Sequence, residues 1–245
     1  MKSELKARDF RESFPEWKRK KDSFLLRYFY RPISFYGASV ANRLGLTSNQ
    51  VSFLSLIVAV LACALFLFDN LIIKMIGSVL VVVWMIMDCV DGNLARTVKS
   101  YPYGDFIDAI SSYTLIALLF PCLGVSVFNS GGVMIEPKSL ILVFVGCMTG
   151  MFDALARLYY QKYLNNRSVY VEKKEIEEEK NGKLSKLNDR VGKEIGLNGL
   201  LIPFLIVATA INAIDVFIIV YFCFYGLRFL ISFLVLIRKT KCLKK

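Results

Sequence analysis

Among its 245 residues the chain has no histidine, which removes imidazole bases, imidazole metal ligands and imidazole pH switches together. Its six cysteines (Cys63, Cys89, Cys122, Cys147, Cys223 and Cys242) form no C-x-x-C pair, and five of them fall inside apolar runs. They read as small hydrophobic residues, and neither a zinc site nor a disulfide framework is indicated. The first 45 residues lack an uninterrupted apolar stretch of the secretory kind, so no cleaved leader is expected. Charge is also scarce through most of the chain. Residues 1–50 hold 11 Lys/Arg and 5 Asp/Glu, residues 162–196 hold 9 and 7, and residues 238–245 hold 5 and none. The other 152 positions carry 6 basic and 8 acidic residues, a contrast that a soluble domain with charge on every face does not show.

What fills those positions is apolar: hydrophobic types make up 56% of the chain and mean hydropathy is +0.51. An all-α integral membrane protein is the expected fold class. Apolar stretches run from Val51 to Phe68, from Leu71 to the Asp88 region, from Phe106 to Phe128 with a possible kink at Pro121, and from Leu140 to Tyr160. The stretch from Leu197 to Ile237 is too long for one crossing, because about 20 residues span the hydrocarbon core. A turn at Asn212 and Asp215 divides it, and the total becomes six transmembrane helices over residues 48–237. With six crossings, 28 Lys/Arg share one side with both termini, against Lys74 and Lys138 on the other, so the crowded side is cytoplasmic.

Residues 24–44 mix aromatics with Arg27, Arg31 and Arg43, the pattern of an amphipathic helix lying in the membrane interface. Residues 1–47 therefore form a cytoplasmic and interfacial segment, and 238–245 a basic tail. The formal net charge of +11 flanks apolar segments, which points to anionic membrane lipids and not to nucleic acid. Thr47 and Gln50 have the spacing of a capping box, so the first span starts near residue 48. The charged insert, about 162–196, reads as a solvated hairpin or loop and is assigned no chemistry.

Acids inside a membrane are costly and mark functional sites. Asp88, Asp91 and Ala95 share one helical face, and Gly104, Asp108 and Ser112 form an i, i+4, i+8 stripe on the next helix. Asp105 lies about 60° off that stripe. Two antiparallel neighbours can thus turn three carboxylates into one cleft, where they repel unless a cation shares them. Hard oxygen ligands favour Mg²⁺ or Mn²⁺, and such an ion favours a phosphate-bearing substrate. On the fourth span Asp153 and Arg157 form an i, i+4 pair, read either as mutual neutralisation or as recognition of an anionic acceptor by Arg157. Arg228, on the last span, has no acid nearby in sequence.

The segment Asp88-Cys89-Val90-Asp91-Gly92-Asn93-Leu94-Ala95-Arg96, followed by Gly104 and Asp108, resembles the signature of the CDP-alcohol phosphatidyltransferase family, D-x-x-D-G-x-x-A-R then G-x-x-x-D-x-x-x-D. Thr47-Ser48-Asn49 resembles that family's entry to the first span. Two positions depart from the pattern: seven residues, Thr97 to Tyr103, separate the halves where eight are usual, and Ser112 stands where the last aspartate is expected. The resemblance implies a homodimeric enzyme in which an acceptor hydroxyl attacks a CDP-linked alcohol or CDP-diacylglycerol and CMP leaves. It implies metal binding by Asp88, Asp91 and Asp108, and a nucleotide bordered by Gly92, Ala95, Arg96 and Gly104. It assigns the base to the last aspartate, which leaves Asp108, Ser112 and Asp105 as the residues around the reaction. A family member that binds without turnover is the alternative. A proton-coupled transporter would instead place its acids near mid-membrane.

Overall fold

The computed structural model describes residues 5–170 and 191–242, and the backbone alone for the ends 166–170 and 239–242. Two short helices, α1 (Ala7–Glu12) and α2 (Glu16–Lys21), precede one π turn over Leu26–Tyr30 that runs into α3 (Arg31–Arg43). Four long helices follow: α4 (Ser48–Leu65), α5 (Leu71–Thr97), α6 (Gly104–Ser130) and α7 (Ile141–Tyr170). Beyond the undescribed part of the charged insert come α8 (Leu201–Ala210) and α9 (Ile214–Cys242). No strand occurs among the described residues, so the chain is all-α.

Local chemistry sets the helix starts. Thr47 accepts from the Gln50 N–H at 3.3 Å while the Gln50 side chain accepts from the Thr47 N–H at 2.9 Å, the capping box expected from the spacing. Asn70 caps α5 by accepting from the N–H groups of Ile72 and Ile73, a cap worth about 1 kcal/mol. α6 runs unbroken through Pro121, and Gly146 of α7 lies so close that a Cβ there would strike the Phe120 carbonyl. That contact draws α6 and α7 together at the proline, where the helix already lacks an N–H.

Five helices, α4, α5, α6, α7 and α9, are long and apolar enough to cross a membrane, which makes the chain an integral membrane protein by length and composition. α8 has ten residues, a rise of about 15 Å, and falls short of a crossing by itself. Its shortness has a local cause. Residues 197–200 coil into a turn in which the Leu200 N–H reaches the Glu194 carbonyl at 2.8 Å, and Gly199 packs where a Cβ would overlap that carbonyl. The expected break at Asn212 is present, with Asn212 at φ 56° between α8 and α9.

The bundle has two distinct ends. At one, the α5–α6 turn meets the start of α4 through Asn49 Nδ2 donating to the Pro102 carbonyl at 3.1 Å, and Ser23 donates to the carbonyl of Asn198 before α8. At the other, Asn129 Nδ2 donates to the Leu67 carbonyl at 2.9 Å, Lys74 Nζ donates to Ser130 Oγ at 2.5 Å, and Asp215 accepts from the N–H groups of Met134 and Ile135. α8 belongs to both: Asn198 just before it lies at the first end, and Thr209 bonds Ser78, one turn beyond Lys74, at 3.0 Å. A core built on Trp84, Met85, Leu115, Phe120, Leu201, Tyr221 and Tyr225 fills the space between the ends. A smaller one joins Phe10, Phe14, Phe35 and Ala38 to Val90 and Leu94 of α5.

Candidate active site

α5 remains helical through the whole acidic motif, and α6 restarts after a tight turn closed by Tyr103 in the left-handed region at φ 61°. The two motif halves thus stand on consecutive helices, both of which pack against α4. Asp88 from α5 and Asp108 from α6 line one cavity of about 320 Å³, together with Ser112 one turn below Asp108. Arg157, Arg228 and Lys193 line the same cavity. Arg157 is fixed by Nε donating to Asp153 Oδ2 at 2.5 Å and by its place over the Tyr113 ring, 5.1 Å from the centroid. The Arg228 guanidinium lies against Gly192, where a Cβ would sit 2.9 Å from Cζ. The cavity thus brings two carboxyl groups and three cationic side chains into one lining. Such an arrangement can grip a phosphate-bearing molecule by its anionic groups while leaving the carboxylates to share a cation.

Asp91 is buried and turned aside. Its Oδ2 accepts from Ser52 Oγ of α4 at 2.5 Å. The contact continues inward through hydroxyls: Ser55 donates to the Ser52 carbonyl at 2.7 Å and shares a 2.8 Å bond with Ser111, which accepts from Trp84 Nε1 at 2.9 Å. Trp84 in turn borders the cavity. Among the described residues no three His, Cys, Asp or Glu side chains meet as a closed ion cage. The donor set still fits a hard divalent cation in its chemistry: Asp88 and Asp108 bring carboxylate oxygens together that repel when both are ionised, and Asp91 stands one turn from Asp88.

None of the residues expected to border a nucleotide, Gly92, Ala95, Arg96 and Gly104, lines this cavity. The Arg96 guanidinium lies over Gly92, where a Cβ would be 3.0 Å from one of its nitrogens, and donates to Asn93 Oδ1 at 2.8 Å. Gly104 faces Asn49, and Ala95 is half-buried on the same turn of α5 as Arg96. Phe14 covers this group, with Arg96 5.3 Å and Arg31 4.8 Å from its ring centroid. Burial, with the Arg96 and Arg31 guanidinium groups close by, pushes the nearby Lys18 ammonium down from its ordinary value.

The structure brings together Asp88, Asp108, Ser112 and Arg157 and leaves Asp105 exposed and outside the cavity, as its angular offset from the stripe predicts. Ser112 spends its hydroxyl on the Ala109 carbonyl of its own helix at 3.1 Å. Sequence reading singled out Arg228 but not the cavity residues Trp84, Gly192, Lys193, Leu197, Asn198 and Tyr225. Trp84 was signalled by its i, i+4 spacing from Asp88, whereas Lys193 lies in the insert assigned no chemistry. Arg228 stood without a partner in sequence, and only the packing of α9 brings it to the acids. No protein-family model matches the chain, and no curated protein matches it.

Proposed function

We propose that the chain is a six-helix membrane transferase of the CDP-alcohol type, moving a phospho-alcohol or phosphatidyl group from a CDP-linked donor to an acceptor hydroxyl with release of CMP. The observation that carries this reading is the shared cavity of Asp88, Asp108 and Arg157, in which one acid from D-x-x-D-G-x-x-A-R and one from the following G-x-x-x-D line the same space as three cationic side chains. In the reaction the acceptor oxygen forms a new bond to the donor phosphorus. The bond from that phosphorus to the bridging oxygen breaks, CMP departs with the electron pair, and the hydroxyl proton passes to Asp108. A bound Mg²⁺ or Mn²⁺ would supply neutralisation of the pyrophosphate charge. Asp88, Asp91 and Asp108 would hold that ion, and Arg96, over Gly92, would contact the nucleotide beside Ala95 and Gly104. Arg157, braced by Asp153, would orient an anionic acceptor, with Arg228 and Lys193 beside it. Alignment and charge compensation are what phosphoryl transfer asks of a protein.

Six crossings follow in this reading if α8 and the turn before it together carry the chain between the two ends of the bundle. Bonds at Asn198 and at Thr209 support that path. Both termini and the cavity then face the cytoplasm, α3 lies in the interface, and the protein is a homodimer of the cytoplasmic membrane.

The test is CMP release by purified protein in lipid, with CDP-diacylglycerol and CDP-linked small alcohols offered separately against pooled membrane acceptors. CMP is expected with one donor class, lost on adding EDTA and restored by Mg²⁺ or Mn²⁺. EDTA-insensitive transfer would remove the ion from the reading. A second reading, binding without turnover, is favoured by Ser112, whose hydroxyl is committed to the Ala109 carbonyl. Ser112→Asp separates the two: a gain of 100-fold or more, roughly the contribution of general-base catalysis, supports degeneration, and little gain or a loss supports a specialised enzyme.

A further inference from the structure

We infer that the N-terminal segment contains a second, separate site: a pocket that binds the headgroup phosphate of an anionic phospholipid. α1, the segment after α2, and the start of α3 enclose a cavity of about 670 Å³, twice the volume of the cavity at Asp88. Five arginines line it (Arg8, Arg11, Arg19, Arg27 and Arg31), against one acid, Asp22. Asp22 is committed to Arg31, accepting from Nε at 2.9 Å, and Arg8 is paired with Glu12 at 2.6 Å. Arg11 and Arg27 pair with no carboxylate among the described residues. The Nε of Arg27 is buried without a hydrogen-bond partner, although its terminal nitrogen donates to the Arg19 carbonyl. A buried guanidinium N–H without an acceptor is costly, and a phosphate oxygen is the acceptor its planar fork suits best.

The surroundings select a lipid as the source of that phosphate. The outer face of the π turn and α3 carries Phe29, Ile33, Tyr36, Val40 and Leu44, all exposed and spaced four, three, four and four residues apart. The helix thus turns an apolar stripe away from the protein while burying Arg31, Ser34 and Ser39. Tyr36, 70% exposed, belongs both to this stripe and to the pocket wall. A phospholipid seated here places its phosphate among the arginines and its chains along the stripe. A soluble phosphate would use only the first half of that surface.

The site is tested on the full chain in phosphatidylcholine nanodiscs containing a small fraction of labelled phosphatidylglycerol, measuring label retained through detergent exchange. R11Q/R27Q is expected to lower affinity for the anionic lipid roughly 30-fold, since each arginine near an anionic surface is worth about a fivefold factor. K20Q/K21Q removes equal charge from the same segment but outside the pocket, and is expected to retain the lipid. Equal loss in both variants, or no loss in R11Q/R27Q, would overturn the site. If R11Q/R27Q fails to fold by circular dichroism, R11K/R27K keeps the charge and removes the fork, and undiminished retention there counts against the proposal. Glycerol phosphate displacing the lipid at equal concentration would show a soluble phosphate site and end the assignment to lipid.

Discussion

The two ends of the bundle both bury charge, and they treat it in opposite ways. At the end of the α6–α7 loop, Lys74 is buried against Ser130 and lies 3.6 Å from Asp69, and Asp215 accepts from two backbone N–H groups. Lys74 thus has a hydroxyl and a carboxylate beside it, and Asp215 Oδ2 is held by backbone, while Asp215 Oδ1 is buried without a hydrogen-bond partner among the described residues. At the other end Asp88 and Asp108, both half-buried, line one cavity together with Arg157, Arg228 and Lys193. Buried charge that is met by backbone and hydroxyls locks loops to helices. Buried charge held next to like charge, in contact with a space, is organised for something that enters.

The sharpest way to break this comparison is Asp88→Asn. It is expected to reduce CMP release by roughly 10³-fold, the scale on which a preorganised electrostatic group acts, while thermal unfolding in detergent stays unchanged. A coincident loss of helicity would make Asp88 structural, like Asp215. Next in size is Ser52→Ala, which removes the hydroxyl that fixes Asp91; activity should fall 10- to 100-fold, as for groups that orient metal ligands, with recovery in Ser52→Thr. Unaltered kinetics in Ser52→Ala would mean that the orientation of Asp91 is irrelevant. The mirror experiment is Asp215→Ala, which leaves the Met134 and Ile135 N–H groups without their acceptor and should cost about 2 kcal/mol of stability. Turnover per folded molecule should not change, and a specific loss of turnover would erase the distinction between the two ends.

Much of this contrast was written in local spacing. The i, i+4 and i, i+3 intervals predicted three carboxylates, Asp88, Asp91 and Asp108, in one cleft between neighbouring helices; Asp88, Asp108 and Ser112 line one cavity, whereas Asp91 is bound to Ser52 and α5 and α6 meet chiefly through α4. The capping box at Thr47, the pair Asp153–Arg157 and the break at Asn212 also rest on neighbours within four residues, and all three are present. What sequence concealed depends on helices far apart in the chain. Asp91 turns toward Ser52, 39 residues away, and that choice is made by how α4 packs on α5. Arg228 reaches the acids only because α9 lies beside α7, and the ten-residue α8 reflects a glycine-rich turn whose tightness no apolar count reveals.

The small core beneath α3 bears on how the protein is made. Phe10, Phe14 and Phe35 pack against Val90 and Leu94, residues synthesised about fifty positions or more after Phe35. As the nascent chain leaves the ribosome, its first helices have no protein surface to settle on until α5 has been inserted. During that interval the bilayer surface, reached through the outward stripe of α3, is the place where they can wait.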